Sequence, residues 1–296
     1  MANGEVRMVH ILAFSFLLVA WLVATAAATP IVLKRVGLVR TNFLGRNVPV
    51  GLGWAVILWA CPVLLLDPWH LWPWRQRVAF AVLLVGFGLL GFADDVLGDR
   101  SATGIRGHLR QLKTHRRITT GLIKAAGIPI LALWVVWLVL RRPLIMGLWD
   151  ALIVSLGANC FNLLDLRPGR ACAVFLVLGG ALVVSPAIHH QAPPLVAILI
   201  SAASIYPFDA LGRAMLGDTG SNVLGGALAL QFVLQDTGWL SRSIATALLV
   251  LIHVAAERYS LTAVIEAHPI LSRLDAFTGV RRPPRADPAE DEPTRK

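Results

Sequence analysis

An all-α polytopic membrane protein is the fold class this sequence predicts, and three observations predict it. The 296 residues are 56% hydrophobic and only 15% charged, with a mean hydropathy of +0.69, a balance that soluble domains of this length do not reach. Apolar runs recur at about residues 8–30, 50–66, 78–93, 121–140, 145–160, 171–187, 194–208, 222–235 and 243–256. Most charged residues fall between these runs. Inside hydrocarbon every backbone N–H and C=O must be satisfied within its own segment, so each run reads as a helix. Several are shorter than the ~20 residues that cross ~30 Å of lipid. The expectation is about nine to ten transmembrane helices in a single integral domain over residues 1–280, followed by a disordered cytosolic tail at 281–296, rich in proline and charge.

The net charge of +10 raises the question of nucleic acid, and the placement of the charge answers it. With the N-terminus outside, one side of the membrane receives Lys34, Arg35, Arg40, Arg46, the basic run Arg100–Arg117, Lys124, Arg167, Arg170, Arg213 and the basic residues from Arg258 onward. Arg7, Arg75, Arg77, Arg141, Arg142 and Arg242 fall on the other. The positive-inside rule makes the richer side cytosolic and the protein a multi-pass plasma-membrane protein, with no need for a nucleic-acid partner. Cys61, Cys160 and Cys172 show neither a disulfide pattern nor metal-ligand spacing.

Taken in order, the first run carries Arg7 and ends in small residues, as a cleaved signal peptide would. Cleavage would leave Lys34–Arg46 outside, against the charge distribution, so the run is read as the first span. Residues 31–53 form an inner loop with Thr41, Asn42, Gly45-Arg46-Asn47 and Val48–Gly53, where glycines admit close backbone approach and arginines supply positive charge. Trp69, Trp72 and Trp74 mark the outer interface. The third run then delivers Asp94 and Asp95, two adjacent carboxylates at the end of a spanning helix. Charge in that position usually marks a substrate, ion or metal site; helix capping is the plainer alternative. The basic stretch that follows suits anionic headgroups or a polyanionic substrate, and Lys124 stands apart from it at the mouth of the fourth run.

The fifth run ends in Asn159, Asn162 and Asp165, whose i, i+3, i+6 spacing puts two amides and a carboxylate along one helical stripe. That stripe suits a hard cation or a sugar, and equally suits interhelical hydrogen bonding. The seventh run leads to Asp209, Arg213 and then Gly217-Asp218-Thr219-Gly220-Ser221-Asn222, a carboxylate framed by glycines at a helix start. Amides there favour phosphate oxygens, and a neighbouring aspartate can hold the Mg²⁺ that bridges them. After the ninth run, Leu261–Phe277 reads as an amphipathic strip on the inner membrane face, interrupted near Pro269.

Together, D-D-x-x-G at 94–98, N-x-x-N-x-x-D at 159–165 and G-D-T-G-S-N at 217–222 resemble the polyprenyl-phosphate N-acetylhexosamine-1-phosphate transferase superfamily, of the phospho-N-acetylmuramoyl-pentapeptide transferase-like, glycosyltransferase family 4 type. The likeness runs in order over nearly the whole chain. It implies Mg²⁺-dependent transfer, with Mn²⁺ as a substitute metal, of a sugar-1-phosphate from a UDP-sugar to a membrane polyprenyl phosphate, releasing UMP, in cell-envelope glycan synthesis. By that resemblance Asp94, Asp95, Asp165 and Lys124 are the catalytic candidates, and Asp218 and Asn162 the metal contacts. Asn42, Asn159, Asn162, Arg167, Arg170, Ser221 and Asn222 are the candidate substrate contacts, and a homodimer is an open expectation.

Two features depart from the family pattern and mark a divergent member. Pro168 stands where an aspartate associated with the nucleobase is usual, and His268 alone stands near the place of a histidine cluster, with the chain ending one helix early. Arg167 and Arg170, which bracket Pro168, are the nearest replacements for those contacts. Three other readings remain: a transporter, a catalytically silent polyprenyl-phosphate binder, and a membrane prenyltransferase with aromatic acceptors. The last would carry two D-x-x-x-D motifs, and a transporter a two-fold repeat of interrupted helices; neither is visible.

Overall fold

The computed structural model describes residues 2–67, 70–98, 119–184, 194–235 and 238–280. Trp69, the basic segment 100–117 and the tail 281–296 lie outside them. Each of the nine apolar runs coincides over most of its described residues with a helix: α1 (Ala2–Arg35), α2 (Gly53–Leu66), α3 (Trp74–Leu97), α4 (Thr120–Trp134), α5 (Leu144–Leu164), α6 (Arg170–Val184), α7 (Leu195–Ala210), α8 (Gly217–Leu234) and α9 (Trp239–Arg258). Two short helices follow, α10 (Leu261–Ala267) and α11 (Pro269–Ala276), split at His268 where Pro269 opens the second. α4 ends in a π-helical turn, Val135–Val139.

The loop after α1 holds an antiparallel hairpin, β1 (Val39–Thr41) and β2 (Asn47–Pro49), which the sequence left as irregular. Asn42 closes its turn: the side-chain oxygen accepts from the N–H groups of Leu44 and Arg46, both at 3.0 Å. Beyond β2 the chain pairs with the segment that precedes α8. Met215 N–H donates to the Pro49 carbonyl at 2.8 Å, and Leu52 N–H to the Met215 carbonyl at 3.1 Å. Residues 48–53 and 215–218, distant in sequence, are thereby held side by side.

The helices are organised around α8, which packs between α3 and α5 and is buried along nearly its whole length. In lipid such packing is driven by close contact rather than by removal of apolar surface from water, so small residues set it. Gly91 of α3 lies against the backbone of Asp218 and Thr219, where a Cβ would collide with the Asp218 carbonyl. That approach brings the end of α3 onto the start of α8. Trp54 packs edge-on against Phe92 at 5.5 Å, and Phe161 against Phe175 at 6.4 Å, locking α2 to α3 and α5 to α6.

Five helices have the length and apolarity to cross a membrane: Ala13–Arg35, Trp74–Leu97, Thr120–Val139, Leu144–Leu164 and Trp239–Arg258. Gly53–Leu66, Arg170–Val184 and Leu195–Ala210 are apolar but shorter. The protein is thus nearly all-α and associated with a membrane through several apolar helices.

Candidate active site

The ends of α3 and α5 and the starts of α4 and α8 meet at one place, and each brings a polar group. Thr119 caps α4 by accepting from Leu122 N–H, which sets Thr120 and Lys124 on one face at i, i+4 spacing. Both reach Asp94 on α3. Thr120 Oγ1 donates to Asp94 Oδ1 at 2.6 Å, and Lys124 Nζ to Asp94 Oδ2 at 2.7 Å. The same ammonium bonds Asp218 Oδ2 in the first turn of α8. Asn162 on α5 completes the group: with its amide nitrogen toward the acceptors it donates to Asp218 Oδ1 at 2.7 Å, and its oxygen accepts from Lys124 at 3.2 Å. Ser221 lies 3.1 Å from the same amide.

Asp95, the neighbour of Asp94, is turned elsewhere. Its two oxygens accept from the Asp218 and Thr219 N–H groups, both at 2.9 Å, and from Thr219 Oγ1 at 2.6 Å. It is the N-terminal cap of α8, delivered from another helix, and it satisfies amides that α8 cannot satisfy itself. Gly217 makes this possible: it has φ +72°, and a Cβ would stand 2.7 Å from Asp95 Oδ2. Arg40 of β1 covers the opposite pole, donating to the Asp95 carbonyl at 2.9 Å at the C-terminal end of α3, where a cation complements the helix dipole.

Asp165 stands just past the end of α5 and accepts from Gly217 N–H. Burial, reinforced by the nearby charges of Asp209, Asp218 and Asp95, pushes its carboxyl well above the usual carboxylate range. Asp209 is itself buried and accepts from Gly169 N–H at 3.1 Å and Leu216 N–H at 3.3 Å, tying the α5–α6 loop to the approach to α8.

Of the sequence candidates, Asp94, Asp95, Lys124, Asn162, Asp165, Asp218 and Ser221 therefore converge. Asn222 lies one turn into α8, donating to the Asp218 carbonyl at 2.7 Å, with its own oxygen buried and without a partner. Asn159 shares the face of Asn162 on α5. Asn42 is drawn into the hairpin turn and donates to the Gly212 carbonyl at 3.2 Å, so its polar atoms serve the fold. Arg170 is 2% exposed and makes a two-pronged pair with Asp275 at 2.6 and 3.0 Å, which removes it from the contacts open to a ligand. Arg167 pairs with Glu266 at 3.0 Å and lies over the Phe43 ring. Thr120, Thr219 and Arg40 were not singled out as site residues; Thr120 had a signal in its four-residue offset from Lys124, and Arg40 had none.

The donor set here is oxygen only, from carboxylates and an amide, which is the chemistry of a hard divalent cation such as Mg²⁺. Among the described residues no three His, Cys, Asp or Glu side chains close into a metal cage. The set fits an ion that takes one or two protein oxygens and completes its shell from water and phosphate. An apolar groove lined by Leu65, Val78, Ala81, Val82, Val85, Gly86 and Leu131 lies between α2, α3 and α4 and includes none of these polar groups. The chain matches no protein-family model and no curated protein.

Proposed function

We propose that this protein is a plasma-membrane glycosyl-1-phosphate transferase, with nine to ten spans, that moves a sugar-1-phosphate from a nucleotide sugar, UDP-linked by its resemblance, to a polyprenyl phosphate. The observation that carries the reading is the Lys124 ammonium held between Asp94 and Asp218, with Asn162 alongside, where the termini of four helices meet. A phosphate oxygen of the lipid attacks the sugar-bearing phosphorus of the donor. One P–O bond forms, the bridging P–O bond breaks, and UMP leaves with the bridging oxygen. Lipid phosphate is largely dianionic at neutral pH, with a second pKa near ~6, so the step needs charge neutralisation and alignment more than a strong base.

The side chains divide that work. Lys124 faces the phosphates and is held in place by Asp94, which Thr120 orients in turn. Asp95 fixes the start of α8, so the amides and Ser221 of that turn hold one position. Mg²⁺, when bound, would be held by Asp218 and Asn162 and would neutralise the diphosphate. Asp165, whose carboxyl burial pushes well above the usual carboxylate range, repels donor and acceptor phosphates less than an ordinary carboxylate would. The cluster is cytosolic under the charge-based orientation, where nucleotide sugars are found.

The test is exchange of radiolabelled UMP into UDP-sugars by purified protein with polyprenyl phosphate and Mg²⁺, across a panel of nucleotide sugars. Metal-dependent exchange with at least one donor is expected. Lipid-phosphate binding without exchange would make the protein a silent binder, movement of solute across proteoliposomes would make it a transporter, and prenylation of an aromatic acceptor would replace the reaction altogether.

A further inference from the structure

On helices α10 and α11 the buried side chains are the polar Thr262 and Asp275, while several large apolar ones face outward. Asp275 is buried against Arg170, whose Nη1 also donates to Thr262 Oγ1 at 3.3 Å, and Glu266 reaches Arg167. On the outer surface Ile270, Leu274 and Phe277 are 64%, 60% and 85% exposed, with Val264 and Leu271 beside them. A segment facing water would be oriented the other way round. Its position in the chain says what it meets: only Tyr259 and Ser260 separate α10 from α9, which is long and apolar enough to cross a membrane. Helices of 7 and 8 residues rise only ~10–12 Å and cannot cross it themselves. Arg258 and Arg273 are exposed, and Arg281 and Arg282 follow in sequence.

We infer that α10–α11 docks on the lipid leaflet, at the boundary of headgroups and acyl chains, and acts as a strap that holds the Asp165–Arg170 loop in shape. The outer face of the strap is held by lipid. Its inner face holds the loop, through Arg170–Asp275 and through backbone packing of Gly169 against Thr278 and of Gly279 against Pro168. The chain beyond it is pinned to the end of α7, where Val280 N–H donates to the Ala210 carbonyl at 2.8 Å and Tyr206 Oη to the Thr278 carbonyl at 3.0 Å. From the loop the path continues through Gly169 N–H to Asp209, and from Asp209 to Leu216 at the start of α8. Lipid contact at Phe277 and loop order at 166–170 are therefore coupled.

Both halves can be tested on the full-length protein in nanodiscs of phosphatidylcholine and phosphatidylglycerol, with readouts independent of the reaction. Cys61, Cys160 and Cys172 are buried, so an environment-sensitive dye goes to the thiol of a Phe277→Cys variant. Its emission should be shifted to the blue and quenched by lipids spin-labelled near the headgroup; quenching by aqueous iodide as strong as for free dye would overturn the docking. In the second arm, Leu274→Glu with Phe277→Glu should speed amide exchange at 166–170 by at least about tenfold while α8 stays protected. Asp275→Asn should do the same, and exchanging the charges in an Arg170→Asp, Asp275→Arg protein should restore protection. Unchanged exchange in the Leu274/Phe277 variant would overturn the coupling even if the dye reports lipid.

Discussion

The two ends of α8 are both closed by charge borrowed from elsewhere in the chain, but only one end is balanced. At the C-terminal end Arg142 and Arg242 donate to the Val233 carbonyl at 2.8 and 3.2 Å and flank Asp150, fully buried on α5, at 3.4 and 2.9 Å. At the N-terminal end Asp95 caps the first amides, and Asp94, Asp165 and Asp218 crowd around it. Among the described residues Lys124 is the cation in ion-pair contact with that group. Both arrangements complement the helix dipole, positive side chains at the carbonyl end and a carboxylate at the amide end. They differ in what is left over. The arginine end is a closed structural bridge between α5, α8 and α9, whereas the aspartate end keeps an excess of carboxylate oxygen, which under the proposed function serves metal and phosphate.

The sharpest way to break the comparison is to remove one cation from each end. Arg242→Met leaves Asp150 buried with half its compensation, and loss of a buried ion-pair partner costs roughly 3–5 kcal/mol. Thermal unfolding in detergent should register that loss, while turnover per folded molecule stays near wild type. Lys124→Met is expected to do the reverse: turnover in the exchange assay falls by at least about 10²-fold, the usual consequence of removing a charge-stabilising group, with a smaller effect on unfolding, because Asp94 and Asp218 are partly exposed and can be hydrated where Asp150 cannot. Asp218→Asn should fall in the same class. If Arg242→Met abolishes turnover in protein that remains folded, or Lys124→Met leaves it intact, the division between a structural end and a chemical end is wrong.

A finer cut runs between the two adjacent aspartates. Asn at position 95 offers one acceptor oxygen where the carboxylate offers two, so at least one of the Asp218 and Thr219 amides loses its bond. Leaving such a group unsatisfied costs about 1–3 kcal/mol. Asp95→Asn is therefore predicted to lower stability as well as activity. Asp94→Asn should lower activity alone, since its oxygens bind side chains that can re-pair with each other or with water. Equal stability losses in the two variants would mean that the pair works as one unit.

How much of this was legible in sequence follows from the range of the interactions. The nine helices were, because hydrocarbon forces each apolar run to satisfy its own backbone. The three polar motifs at the site were too, because they are local clusters at the ends of runs. What was hidden is which carboxylate does what. That Asp95 caps α8 depends on a contact between residues 123 and 124 positions apart. Arg142 and Arg242 read in sequence only as charge on the outer side, and the structure joins both to Asp150, Arg242 through a partner 92 residues away. Arg170 reads in sequence as a candidate substrate contact for the same reason: Asp275 lies 105 residues further on. Charge type and local spacing locate an ionisable group along a helix, but its partner is a property of the packing.

The smallest expected effect concerns Asp165, and its sign separates the crowded end from an ordinary capped helix. Folding pushes this carboxyl well above the usual carboxylate value of about 3.9, first through burial and then through the charges of Asp209, Asp218 and Asp95. A group that holds its proton more tightly when folded contributes stability that is fully present below the unfolded value and is lost as pH rises through the folded one. Wild-type stability should therefore carry a component that is fully present in acid and declines as pH rises above the unfolded value, as Asp165 is forced to ionise beside its neighbours. Asp165→Asn is locked in the neutral form and should lack that component. Its melting temperature should match wild type in acid and exceed it by a few degrees at alkaline pH, the scale of about 1 kcal/mol in a protein of this size. Melting curves of the two proteins across that range measure the difference directly. A gap that stays constant with pH would place Asp165 in a solvated, charge-compensated setting, and the crowding of carboxylates at the start of α8 would lose its energetic meaning.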